Sequence, residues 1–239
     1  MAQSYYPNED TRLNIARGLV KGTSYIHKFG AVPAMSTSTT GTVWDVNDTV
    51  YPWATLATAS TLTIAANVAD NGKTVTIYGL DANYDVLEET VTISGGAATT
   101  TNSFLRVYRA FCSAQNSYNI DIKVSSTTVA RITASMAQTL MAIYTVPAGY
   151  TGYLMQGTMS AQAGADATGN MFVRYFGQTS FRVGHSFEVS GGGGQYSYNF
   201  AVPNAIPEKS DIDVRVTTRS NNGRYTAAFD LILVKTGLV

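Results

Sequence analysis

Along most of the chain, apolar and polar positions alternate in short runs closed by Gly, Asn, Asp or Ser. The first series is TVWDV (42–46), TLTIAANV, TVTIYGL, VLEETVTI, SFLRVYRAF and NIDIKVS. Alternation with period two between turn formers predicts strands. Through SSTTVARITASMAQ, about residues 125–138, the alternation fades, and a second series follows: QTLMAIYTVPAG, YTGYLMQGTMSAQ, GNMFVRYFG, SFRVGHSFEVS, QYSYNFAVP, SDIDVRVTTRS and YTAAFDLILVKTG. No helical pattern separates consecutive strands, which argues against βαβ units and for antiparallel pairing. The expected fold is all-β: two antiparallel β-sandwich domains, jelly-roll or Ig-like, over 46–136 and 137–239, preceded by an extended N-terminal arm over 1–45.

Parity assigns faces within these runs. In DIDVRVTT, Ile212, Val214 and Val216 share one face, and Asp213, Arg215 and Thr217 are expected to form a wet one. In SFLRVYRAF both faces mix apolar residues with Arg106 or Arg109, as at an edge or interface. TVTIYGLDANYDVLEETVTISGG (74–96) reads as a hairpin, with Val75 and Ile77 facing Val91 and Ile93 and DANYD at the corner. The arm carries one ragged helical stripe in NEDTRLNIARGLVKG, with Asn8, Asp10 or Thr11 as N-cap and Gly18 or Gly22 as terminator. After it, KFGAVPAMSTSTTGT has no periodicity and reads as extended.

Composition sharpens this. Charged residues make up only 13% of the 239, so hydroxyls and amides must cover the surface. The 16 basic and 16 acidic residues cancel, which removes the field that draws a protein onto nucleic acid or an anionic membrane. Cys112 is the single cysteine, and His27 and His185 are the two histidines, so neither an intrachain disulfide nor a Cys/His zinc site is expected. Neither a signal peptide nor a membrane span is indicated.

Candidate chemistry is sparse. Asp81, Asp85, Glu88 and Glu89 form the densest acidic group, but parity sends Glu88 and Glu89 to opposite faces and the aspartates suit a turn. The run lacks EF-hand spacing. No G-x-S-x-G elbow accompanies the histidines, which are expected to be structural. VSGGGGQYS (189–197) lacks a following Lys-Ser/Thr and reads as a flexible hairpin tip. Tyr150, Tyr153, Tyr175, Tyr196 and Tyr198 suit a sugar-stacking surface, a subunit contact or a packed core. Trp44 and Trp53 are expected to anchor the arm.

HKFG (27–30), TVWDV (42–46), TVTIYGLDANYDVLEETVTISG (74–95), FLRVYRAF (104–111) and QTLMAIYTVPAGYTGYL (138–154) together resemble virion structural proteins of tailed bacteriophages, of the kind found in cyanobacterial and marine phages. The resemblance covers residues 20 to 155. It implies a non-enzymatic virion component without cofactors, assembled in the host cytoplasm, its partners the major capsid protein or other virion proteins and further copies of itself, as a trimer. Within that group the expectation is a capsid decoration or cement protein that stabilises the head lattice through its arm and first domain. The alternative is a tail, neck or fibre component whose second domain binds host-surface glycan. Neither nucleic acid nor membrane is an expected partner. Partner contacts are expected from Tyr5, Tyr6, Leu13, Ile15, Leu19, His27, Phe29, Trp44 and Trp53.

Overall fold

A computed structural model describes residues 10–190, 192 and 194–237. Helix α1 (Thr11–Ala16) is followed by β1 (Thr23–Met35), β2 (Thr40–Thr42), β3 (Thr63–Ala65), β4 (Thr74–Leu80), β5 (Val86–Thr92), β6 (Ala97–Thr99), β7 (Arg106–Cys112), β8 (Ile120–Val124) and β9 (Thr127–Ile132). The remainder is β10 (Ile143–Thr145), β11 (Tyr150–Ala161), β12 (Ala167–Arg174), β13 (Arg182–Val189), β14 (Gln195–Ile206), β15 (Asp211–Thr218) and β16 (Gly223–Lys235). The fold is all-β, in small antiparallel sheets. Among the described residues no helix is long and apolar enough to cross a membrane.

The first sheet has the order β1-β16-β11-β14 and the second β10-β15-β12-β13. β10 and β2 lie end to end along one edge of β15, against Asp211–Asp213 and Arg215–Thr217, while β12 takes its other side. The third sheet is β6-β3-β8-β9 and the fourth β5-β4-β7. Apolar faces of the first two sheets form one core around Tyr144, Leu154, Val214, Tyr225 and Phe229. The other two sheets enclose a second core around Trp44, Leu56, Ile77, Phe104 and Ile122. The chain passes from one core to the other at Val43/Trp44 and returns through β10, where Ile143 faces the second core and Tyr144 the first. Opposite faces of a single strand thus serve both.

Three expectations change. The 1–45 stretch does not lie free as an arm over its described length: β1 pairs with β16 from Thr23↔Val234 to Val32↔Tyr225, and β2 pairs with β15. Its inward positions are Lys28, Gly30, Val32 and Met35, and a lysine and a glycine in the apolar slots conceal period two. Gly30 is required there, since a Cβ would stand 2.1 Å from the Val43 carbonyl oxygen and 2.5 Å from the Ala142 nitrogen. The expected wet face of β15 is covered at one end: Asp213 is fully buried beneath Trp53 and Thr42, while Arg215 and Thr217 are half-buried. The expected β13–β14 hairpin is not formed, because β13 belongs to the second sheet and β14 to the first.

Local expectations fared differently. Asp10 caps α1 by accepting from the Arg12 N–H at 2.9 Å, and Gly18 follows the helix at φ +71°. β4 and β5 form the hairpin with Val75 opposite Val91, though Ile77 faces Glu89 and Ile93 lies beyond β5. Asp81 closes the turn, its Oδ1 accepting from the Asn83 and Asp85 N–H groups at 2.8 and 2.9 Å.

Candidate interaction surface

Most acidic side chains among the described residues are engaged with internal partners. Asp211 of β15, 2% exposed, accepts from Arg106 Nε at 2.8 Å, from Arg174 Nε at 3.0 Å and from the Thr145 hydroxyl at 2.7 Å. Arg106 comes from β7 in the fourth sheet, so this buried pair ties the two cores together. Its guanidinium also donates to the Leu56 carbonyl and stands 5.6 Å from the rings of Trp53 and Tyr84. Burial alone would lower the Arg106 pKa; the Asp211 carboxylate more than offsets this and raises it. Asp213 accepts from Thr42, Trp53 and Arg215, but burial outweighs them and raises its pKa. Asp70 accepts from Lys73 and from the Ser117 and Tyr118 backbone. No local motif encodes the Arg106–Asp211 pair; its trace in the sequence is a charge inside each of two apolar runs.

The Glu88 and Glu89 pair splits as parity requires. Glu88 is exposed, whereas Glu89 accepts from the Thr101 and Asn102 N–H groups at 2.6 and 2.9 Å and so holds the loop after β6. Glu88→Gln should leave stability within about 0.5 kcal/mol, while Glu89→Gln should cost about 1 kcal/mol. Equal effects in urea denaturation would show that the loop does not depend on this contact. His27 Nδ1 lies 2.5 Å from Asp230, and His185 Nε2 lies 3.0 Å from the Tyr196 hydroxyl. Among the described residues, no three His, Cys, Asp or Glu side chains stand together as a metal site would require.

What the surface does offer is the edge of the first sheet. β14 pairs only with β11 among the described residues, and its sequence, QYSYNFAVPNAI, contains no charge. Between Leu154↔Asn204 and Gln156↔Asn199, Met155 alone stands against Phe200, Ala201, Val202 and Pro203, so β14 bows outward. Val202 on the bow is 81% exposed. Below the bow, Tyr196, Tyr198 and Phe200 alternate onto one face and meet β13. There the His185 ring lies 4.8 Å from Tyr198 and 5.7 Å from Phe200, and Phe187 stacks on Tyr196 at 5.4 Å. This aromatic seam bridges the edges of the two sheets. Val183, on the same strand as His185, is also exposed. Natural edge strands are usually guarded by charge or proline, and here only Pro203 serves.

The residues expected to contact partners are dispersed. Tyr5 and Tyr6 lie outside the described residues. Leu13 and Leu19 are exposed, and Leu13 and the half-buried Ile15 line a groove of about 700 Å³ between α1 and the outer face of the first sheet. His27 and Phe29 point outward on β1, their rings 5.6 Å apart. Trp44 and Trp53 are corrected: at 1% and 7% exposure they are core residues facing the interior of their own chain. Each meets Tyr51 edge-on there, at 5.2 and 4.7 Å. Of the five tyrosines, the seam brings together Tyr196 and Tyr198; Tyr150 and Tyr153 start β11 and Tyr175 follows β12.

No protein-family model matches the chain, and no curated protein matches it. Among solved structures, an infectious bursal disease virus Gt strain structure is similar at 11% identity and a TM-score of 0.24, covering 92% of this chain and 74% of that one. Empty particles of cowpea mosaic virus, the top component, match at 4% identity and a TM-score of 0.24, covering 75% and 83%. A Bacillus thuringiensis Cry1Da tryptic core variant matches at 10% identity and 0.20, covering 85% and 59%. Superpositions this loose carry no argument about what the chain binds or does.

Proposed function

We propose that the protein is a structural subunit of a tailed-phage particle, a non-enzymatic decoration or cement protein that stabilises the head lattice in many copies. The supporting observation is the charge-free, outward-bowed β14 edge, which leaves backbone donors and acceptors and a bare Val202 available to a neighbour. Such an edge is a hazard on a lone protein and an asset in an assembly. The resemblance of residues 20–155 to phage virion proteins points the same way. In this reading the partners are the major capsid protein and further copies of this chain, as a trimer, and Leu13, Leu19, His27 and Phe29 supply further contacts. In the same reading the chain is two sandwich units, one of them joined by β1 and β2, and the presence of two apolar cores supports it.

Val202→Lys tests the reading. With that side chain 81% exposed, folding stability should change by no more than about 0.5 kcal/mol. Copies per particle should fall by at least about tenfold, because a buried lysine at an assembly contact costs well over 1 kcal/mol. Undiminished occupancy, measured by quantitative mass spectrometry of purified particles, would remove β14 from the interface. Wild-type copy number separates this from a tail, neck or fibre role. That second reading is favoured by Tyr198, 41% exposed beside His185, as a ring available to host glycan.

A further inference from the structure

A second site lies on the opposite flank of the first sheet. Where β1 passes the fourth sheet and β10, a cavity of about 310 Å³ opens, walled by Tyr78, Tyr108, Phe111 and Tyr144 and carrying Lys28 and Arg109. The Lys28 side chain is almost wholly buried, with the residue 2% exposed. Its ammonium has a single hydrogen-bond acceptor among the described residues, the Tyr108 carbonyl, and stands 5.8 Å from the Tyr108 ring. Arg109 donates to the His27 carbonyl and lies 5.6 Å from the Phe111 ring. Neither cation has a carboxylate within ion-pair distance among the described residues. Asp230, the acid on the adjoining strand, is held by His27 and Gln156, and Glu88 stands opposite Tyr78 across the β4–β5 ladder.

A buried ammonium ordinarily comes with a counter-charge. Here burial and the neighbouring Arg109 push the Lys28 pKa well below the usual lysine value, which is the signature of a cation whose partner is missing. An incoming anion would restore it. A guanidinium matches a carboxylate in a planar fork, and aromatic walls offer flat apolar faces to a ring. The volume suits one ring-sized molecule.

We propose that this cavity binds a small carboxylate carried on a six-membered ring, with Lys28 and Arg109 holding the carboxylate and the tyrosine and phenylalanine rings holding the body. The class includes uronic acids and simple aromatic acids. The site is independent of the β14 edge, so its fate does not decide the proposed function.

Titration of the full chain by calorimetry with glucuronate, benzoate, glucose and inorganic phosphate tests it. Saturable binding of glucuronate or benzoate is expected, with glucose and phosphate at least about tenfold weaker; the stronger of the two acids identifies the source of the ring. Lys28→Met and Arg109→Gln should each weaken that binding at least about tenfold. Arg109 is half-buried, so Arg109→Gln retains the test should Lys28→Met fail to fold. Absence of saturable binding by either acid, phosphate binding as tight, or unchanged affinity in folded variants would overturn the proposal.

Discussion

Asp211→Ala is expected to lower unfolding stability by about 3–5 kcal/mol, a large share of what a typical chain has. The cost comes from what remains. Arg106 would stay buried at 6% exposure with its carboxylate gone, and it cannot swing into water without abandoning Leu56 and the Trp53 ring. Arg174, whose side chain is 20% exposed, has an escape and should contribute less. The double variant Arg106→Met with Asp211→Leu therefore recovers much of the loss, because a matched apolar pair removes both charges at once. Urea denaturation of the three proteins measures this. A loss under about 1 kcal/mol in Asp211→Ala would show that the pair does not join the two cores energetically. A double variant no better than the single would mean that shape at Arg106, rather than charge, is what the junction needs.

The same junction shows what was legible in the sequence. The β4–β5 hairpin was read with its Val75–Val91 pairing because its information is local: alternation, parity and an aspartate turn within one short segment. β1 hides from a period-two pattern because its inward slots hold Lys28 and Gly30, which have reasons of their own: a cavity for one, and a close approach to Val43 and Ala142 for the other. Alternation puts the buried Asp213 on a wet face because it tells which residues share a face without telling what covers it. In the candidate surface, Tyr196 and Tyr198 were noted as tyrosines two apart on a strand. Their meeting with His185 and Phe187 required knowing that β13 and β14 lie in different sheets, which the intervening glycine run hides. Trp44 and Trp53 show the reverse case: they are expected to anchor the arm and to contact a partner, whereas the chain's own second core holds them, and alternation within TVWDV does not say which core lies behind a strand.

Asp45, beside Trp44 at the crossing between the cores, yields the prediction of opposite sign. It is 7% exposed; Oδ2 accepts from the Thr133 hydroxyl at 2.8 Å, and Oδ1 has no hydrogen-bond partner among the described residues. Burial pushes its pKa up to about 6, with the Thr133 hydroxyl and nearby backbone groups pulling the other way. The folded chain therefore holds this proton at pH values where the unfolded chain, with an aspartate near the ordinary 3.8, has released it. Its contribution to stability is fully present below about pH 4 and is lost as pH rises through about 6. Above that, the ionised carboxylate costs the fold about 3 kcal/mol, by the same linkage. Asp45→Asn carries no charge to bury, so at pH 8 it should be more stable than the parent by up to about 3 kcal/mol, reduced by whatever its unpaired amide loses. At pH 4 the two should be nearly equal. Chemical denaturation at intervals from pH 4 to 8 should trace a difference that opens around pH 6, whereas a constant offset, or a less stable Asn variant at pH 8, would mean that Asp45 is compensated as an anion in the fold.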